Sequence, residues 1–307
     1  MSSAPWKIDR PVPRAIFDVP SQTTNEERLL FYWLASEKFT GAGEIVEVGA
    51  LAGASTLCLA AGALENPAVR GRKFRLNVYD RFIADDGLCA EFFDRHYPGE
   101  GIKPGDDFSS LYRRNIAAVA DHVDVHQIDA RDLRWDGRPI EILFIDCALS
   151  AALYDHFMRE FFPCLIPGRS WVIDQDFFFQ NAPWIPINAE KLGMVPHYVE
   201  DVTLVSQVGP DTLSRVGDAV GFYAGLSADE RIAVLRRHAE KYTPDARQLL
   251  QLQEAVILIG DNRFDEGVRI AAEIDRSPWM FAAKFRARQL LELARKKLAE
   301  HQGQTAG

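Results

Sequence analysis

The sequence has little of several things that would point elsewhere. Its 307 residues contain four cysteines, Cys58, Cys89, Cys147 and Cys164. They are scattered, with no CxxC pair and no Cys/His cluster, so neither a zinc site nor a disulfide framework is expected. Each reads as a small buried hydrophobe. No stretch approaches the roughly 18 apolar residues that a membrane helix needs. The first residues, Met-Ser-Ser-Ala-Pro-Trp-Lys-Ile-Asp-Arg, lack the apolar core of a signal peptide. A cytoplasmic location with no membrane partner is therefore the default expectation. Positive charge is also short. Lys and Arg total 35 against 44 Asp and Glu, for a formal charge of −9. A nucleic-acid partner is not expected, because phosphate contacts need a basic face. Arg131, Arg134 and Arg138 lie close in sequence but read as solvated surface.

What is present is ordinary for a globular protein, with 47% hydrophobic and 26% charged residues. The length suffices for a large core and more than one small domain. Residues 1–22 are proline-rich and read as an irregular arm packed on the domain. Thr24-Asn-Glu-Glu27 has capping chemistry ahead of an apolar stretch, so a helix is predicted over 29–39. Strands are predicted at 44–48, 74–79, 122–128, 141–145 and 170–173, with helices at 54–64, 85–96, 108–120 and 151–162 between them. Strands alternating with helices imply βαβ units and a mainly parallel sheet. The runs 203–208 and 219–223 are predicted as an antiparallel pair at the sheet edge. Ser227-Ala-Asp-Glu230 is a second capping box. Helices are predicted beyond it, near 228–241, 244–259, 264–275 and 278–300. Residues 255–272 resemble one tetratricopeptide-like hairpin, although a stable array needs about three. The plainer reading is a helical appendage on the sheet or on a second subunit, which leaves a homo-oligomer open.

Four predicted strands end on an acidic residue: Asp80, Asp129, Asp146 and Asp174. Ligands of open α/β sheets bind outside the carboxyl ends of the strands, so these side chains would converge on one crevice. A lone strand-end Asp is often just a cap or turn former. Four beside a glycine-rich first loop are harder to explain that way. In that loop, Gly49 allows a sharp turn and close approach to a ligand. Gly53 keeps the next helix near its strand. The helix N-terminus then offers free backbone N–H groups. A Gly pair in a tight βα turn can equally be structural. The Gly-x-x-x-Gly spacing is not the Gly-x-Gly-x-x-Gly of a dinucleotide oxidoreductase.

The segment Glu47-Val-Gly49-x-x-x-Gly53-x-Ser55-Thr56 resembles the first motif of class I S-adenosylmethionine (SAM) methyltransferases. It is most similar to the small-molecule O-methyltransferases, including the macrocin-type sugar enzymes and catechol O-methyltransferase. The resemblance runs over about residues 28–224. It implies that residues 49–53 lie against the methionine part of SAM, with Glu47, Ala50 and Ser55 in the same cofactor-binding set. Asp80 would take the ribose hydroxyls, and Asp129 with Ala130 would lie beside the adenine. In the metal-dependent branch, Asp146, Asp174 and Gln175 match the ligands of a divalent ion such as Mg²⁺, for which hard oxygen donors are suited. Asp174 and Asp176 can equally be loop formers. After the fourth strand the family places a His or Lys base, whereas this chain reads Asp146-Cys-Ala-Leu149. Asp146, His156 or Asp176 could substitute. The aromatic run 177–179, with Trp184, could line an acceptor pocket but reads better as packing.

The expectation is an α/β fold: a doubly wound, mainly parallel, Rossmann-like sheet of the class I methyltransferase type with a helical C-terminal domain. The arm is assigned 1–22, the SAM-binding domain 23–225 and the helical domain 226–302. The resemblance implies transfer of a methyl group from SAM to a hydroxyl of a small-molecule acceptor, a sugar or natural product, with Asp146 catalytic and a divalent cation as an option. The alternative is a catalytically degenerate module that binds a partner through its helical tail.

Overall fold

The computed structural model describes residues 4–7, 11–85, 87–276, 287–292, 294 and 296. A 3₁₀ turn over Pro5–Lys7 and helix α1, Ala15–Asp18, form the arm. Helix α2, Asn25–Glu37, starts where Thr24 Oγ1 accepts from the Glu27 N–H at 3.2 Å and Glu27 Oε2 accepts from the Thr24 N–H at 2.8 Å. Each side chain thereby satisfies one backbone donor that a helix start leaves open. Strand β1, Glu44–Val48, leads through the glycine loop into α3, Ala54–Glu65. Then come β2 (Leu76–Asp80), α4 (Leu88–His96), α5 (Ser109–Asn115), β3 (Val123–Gln127) and β4 (Ile140–Ile145). Helix α6, Ala151–Phe161, precedes β5, Trp171–Asp174. Helix α7, Trp184–Leu192, leads to β6, Val195–Glu200, and β7, Thr203–Gln207. The short helices α8, Thr212–Ala219, and α9, Phe222–Gly225, connect to α10 (Ala228–Ala239), α11 (Pro244–Gly260) and α12 (Phe264–Arg276). No helix among the described residues is long and apolar enough to cross a membrane.

The seven strands lie in the order β3-β2-β1-β4-β5-β7-β6. The first five run parallel, and β7 pairs antiparallel with both β5 and β6. The order reverses between β1 and β4, and at such a switch point the loops leave in opposite directions and open a crevice. Strand alternation divides the core in two. Val46, Val48, Leu143, Ile145 and Val172 face one apolar cluster, which α6, α7 and the C-terminal helices share. Ile45, Ile142, Phe144 and Ile173 face the other, filled by α2, α3 and the arm. Both faces are covered, which is the doubly wound arrangement the βαβ succession predicts.

One expectation changes. Residues 219–223 are not a strand. They end α8, turn at Gly221 with φ +77°, and enter α9. The partner of β7 is β6, whose Pro196, His197 and Glu200 disguise it. Proline is tolerated there because β6 is an edge strand with no neighbour on its far side. The aromatic run is packing: Phe177 and Phe178 are fully buried. The last predicted helix falls mostly outside the described residues, of which 287–292 are helical.

Helices α2 and α3 pack closely, and Gly62 sets their separation. A Cβ at Gly62 would lie 2.3 Å from the Tyr32 carbonyl oxygen. In an open helix Ala would be favoured over Gly by about 1 kcal/mol. Here Gly62→Ala is expected to destabilise by about 1–3 kcal/mol in urea unfolding. A variant as stable as the wild type would contradict this packing.

Candidate functional site

A cavity of about 470 Å³ opens at the carboxyl ends of the parallel strands. It falls at the switch point, and its volume lies within the usual range for small-molecule sites. Gly49, Ala50, Ser55, Asp80, Asp129, Ala130 and Asp146 all line it. These come from the loops after β1, β2, β3 and β4, so four sequence-distant segments meet on one wall.

The glycine loop is held in a strained shape. Gly49 has φ +87°, and a Cβ there would stand 2.7 Å from the Asp146 carbonyl oxygen. Leu51 has φ +46° and Phe82 has φ +52°, left-handed values that cost a side-chain-bearing residue about 1–3 kcal/mol. Asp80 supports both residues. Its Oδ2 accepts from the Ala50 N–H at 2.8 Å and the Leu51 N–H at 3.1 Å, and its Oδ1 accepts from the Phe82 N–H at 2.7 Å. A carboxylate has about four acceptor positions, so one remains for a ligand hydroxyl. Burial pushes the Asp80 pKa up, and the three backbone donors pull it back.

Two residues expected at the cofactor serve the loop instead. Glu47 is fully buried and does not reach the cavity. It accepts hydrogen bonds from the Ser55 and Thr56 hydroxyls, which ties β1 to the first turn of α3. Burial raises its pKa to about 7, against those two hydroxyl donors. Gly53, with φ +94°, is also off the cavity. A Cβ there would meet Ile116 at 2.7 Å and the Tyr112 ring at 3.1 Å, so this glycine lets α3 approach that segment. Ser55 lines the cavity, but its hydroxyl is engaged by Glu47.

Asp129 is gripped by Arg131, with Nε donating at 2.9 Å and Nη2 at 2.6 Å. That fork, with the Arg131 N–H, holds its carboxyl well below the usual range. The Arg131 side chain is 76% exposed, so a ligand can displace it at little cost.

The expected divalent-ion set does not converge. Asp174 and Gln175 are successive residues at the end of β5, and successive side chains point to opposite sheet faces. Asp174 is buried on the α6 side, where the Tyr154 hydroxyl donates to it at 3.1 Å. Burial raises its pKa to about 7. Gln175 turns to the α2 side, where its Nε2 donates to Glu27 at 3.1 Å and its Oε1 accepts from the Thr203 hydroxyl at 2.8 Å. Of the three, only Asp146 lines the cavity. No cluster of three His, Cys, Asp or Glu suited to a metal occurs among the described residues. The donor set thus does not fit Mg²⁺, and the expectation is corrected.

Asp146 stands at the cavity wall, and burial among Asp176, Glu27, Glu47 and Asp80 pushes its pKa well up. The neighbour with the largest effect is Asp176, which sequence spacing could not select. The Gln175 N–H donates to the Ile145 carbonyl at 3.0 Å, which starts the turn carrying Asp176 alongside the end of β4, where Asp146 stands. His156 points elsewhere, with Nε2 3.0 Å from the Leu133 carbonyl, and is not a base for this cavity. Leu149 lines the cavity and is 73% exposed.

Sequence reasoning missed the arm's part. Residues 20–23 form one wall of the cavity. The arm is held by Trp6, which packs edge-on against Tyr198 at 5.5 Å and donates from Nε1 to Glu200 at 2.8 Å. No local pattern in a proline-rich segment reports such long-range contacts. Arg81, Arg131 and Cys147 also line the cavity, each one or two residues past a strand-end Asp, and the topology alone could have named them.

No family model and no curated protein matches the chain. Among solved structures it is similar to cofactor-bound Rv0187 from MTB, at 17% identity, with 63% of this chain and 86% of that chain covered and a TM-score of 0.42. It is also similar to an O-methyltransferase from Bacillus cereus in complex with SAH, at 16% identity, with 70% and 76% covered and a TM-score of 0.34. A third likeness is to YjhP from E. coli, at 12% identity, with 83% and 94% covered and a TM-score of 0.32. At such scores these likenesses assign neither activity nor ligand to this chain.

Buried carboxyls with raised pKa values make stability depend on pH. The folded state keeps the Glu47 proton up to about pH 7, whereas the unfolded chain loses it near 4.5. Stability from this group is full below 4.5 and lost as pH rises through 7. Glu27 and Asp174, each raised to about 7, act in the same direction. The protein is expected to lose stability from pH 5 to pH 8. Glu47→Gln is expected to flatten that loss by up to about 3 kcal/mol in urea melts. A slope unchanged by the substitution would contradict the assignment.

Proposed function

We propose that the chain is a SAM-dependent methyltransferase of class I type that methylates a hydroxyl of a small molecule. The observation that carries this reading is the single cavity where the Gly49–Ala50 loop, Asp80, Asp129–Ala130 and Asp146 meet. These are the positions that the motif resemblance gives to the methionine, ribose, adenine and transfer ends of SAM. Charge supports the same reading. The cavity's two arginines, Arg81 and Arg131, are each paired with an aspartate, Asp85 and Asp129. Asp80 is held by three backbone N–H groups with Arg81 near it, and the neighbours that shift Asp146 are all acidic. Such a lining favours a ligand with positive charge and disfavours a phosphorylated acceptor.

Bound there, SAM supplies an electrophilic methyl group on a positively charged sulfur. The chain's own work is to orient and to move one proton. Asp80 fixes the loop beforehand by taking its Ala50 and Leu51 N–H groups, and the first turn of α3, where Ala54 and Ser55 line the cavity, offers the open backbone donors of a helix start. Asp146 takes the acceptor proton, because a carboxyl whose pKa is raised holds a proton more tightly than an ordinary aspartate. Asp176 beside it maintains that raised affinity, since two close carboxyls resist both being ionised. No divalent ion enters this scheme, since Asp174 and Gln175 face away from each other. A second reading keeps SAM binding without transfer. It is favoured by Leu149, an exposed side chain that cannot accept a proton where the family carries its base.

Titration calorimetry with SAM is expected to give a Kd on the order of 1–100 μM, unchanged by EDTA. Affinity is expected to rise with pH, because ionised Asp146 attracts the cation and protonated Asp146 does not. Asp146→Asn is expected to weaken binding about tenfold or more and to remove that pH dependence. No heat with either SAM or S-adenosylhomocysteine would end this reading. Binding without turnover on a panel of phenols, sugars and hydroxy acids would select the second.

A further inference from the structure

The turn that follows β5 carries Asp176, and it is tied down from a distance. Gln253, on α11, is fully buried. Its Nε2 donates to the Phe177 carbonyl at 2.8 Å and to the Phe179 carbonyl at 2.9 Å. Both amide protons are thus spent on the two carbonyls nearest Asp176 on its C-terminal side that face α11. The turn is fixed on its other side by the Phe178 N–H, which donates to the Val202 carbonyl at 2.9 Å. Its apolar rings are held by the same helical region. Tyr242 lies 5.9 Å from Phe177 and 5.2 Å from Phe178, and His238 lies 5.6 Å from Phe177.

Packing alone does not account for Gln253. Its Oε1 is buried and has no partner among the described residues. An apolar side chain of equal length would avoid that unsatisfied oxygen, so the amide brings a desolvation cost that only its two donated bonds offset. An amide turned the other way would set its oxygen against two carbonyls, so the network itself fixes the orientation.

We infer that Gln253 is a positioning residue, through which the C-terminal helices hold the Asp176 turn against Asp146. The helical region is then part of the site's machinery rather than an appendage to it. The inference rests on the reading of the Asp146 cavity as the SAM site.

A double-mutant cycle tests it on the full chain, with Gln253→Met, Asp176→Asn and the pair, SAM affinity being read by calorimetry. Methionine keeps length and volume but donates nothing. Read across pH, each single variant is expected to move the rise in SAM affinity to lower pH, because Asp146 then ionises more readily, and the double variant no further than the larger single. Shifts that add, or a Gln253→Met that binds as the wild type does across pH, would overturn the inference. A general loss of packing would lower the melting temperature but leave the two effects independent. Hydrogen–deuterium exchange over residues 175–183 reads the tie without any ligand. Faster exchange in Gln253→Met confined to that turn supports the inference, and unchanged exchange overturns it. If the wild type fails to bind SAM, the reading of the cavity falls, and the exchange result still decides whether α11 holds the turn.

Discussion

The Asp80 carboxylate accepts three backbone N–H groups, from Ala50, Leu51 and Phe82. Two of those residues sit in left-handed backbone that their side chains disfavour. Without that carboxylate, the loop after β1 and the loop after β2 would relax toward ordinary conformations. The cavity would lose its floor and one wall together. Gly49 makes the arrangement feasible, because any side chain there would strike the Asp146 backbone. The loop, the strand end and the fourth-strand carboxyl are therefore one mechanical unit, built across three neighbouring strands.

That unit gathers negative charge at the sheet's carboxyl end. Asp176, Glu27, Glu47 and Asp80 all act on Asp146 there. Burial, with this crowding added to it, raises carboxyl pKa values and lowers stability as pH rises, a cost a fold tolerates where the charge is used. A cationic ligand would relieve it. The sheet's alternation decides which carboxyls take part. Asp174 goes to Tyr154 on one face, and Gln175 to Glu27 and Thr203 on the other. The same alternation separates the two core clusters, so the stability of the sheet and the composition of the site follow from one periodicity.

The parts of this legible in the sequence were those with a local signature. The capping residues Thr24 and Ser227 start helices as their motifs predict. The five parallel strands carry apolar runs ended by turn chemistry. Gly49 and the acidic strand ends reach one cavity because strands in a parallel sheet all finish on the same side. What sequence could not show was direction and distance. Glu47 reads as a cofactor contact, yet it lies off the cavity and takes the Ser55 hydroxyl beneath the loop. The spacing of Asp174 and Gln175 looked like a ligand pair because adjacency in sequence hides the opposite facing of strand neighbours. Strand β6 was missed because Pro196 and two polar residues break its pattern, which only an edge position permits. The arm's wall and the Gln253 tie depend on contacts across long stretches of chain, for which no local pattern exists.

The account's central claim is that one acid-lined cavity over the glycine loop takes SAM. The most direct measurement is a crystal structure of the chain soaked with S-adenosylhomocysteine. The account predicts density in the cavity, with the amino-acid end at Gly49 and Ala50, a ribose hydroxyl at Asp80 and the base beside Asp129 and Ala130. Density elsewhere, or an empty cavity at saturating ligand with the loop accessible in the lattice, would contradict it.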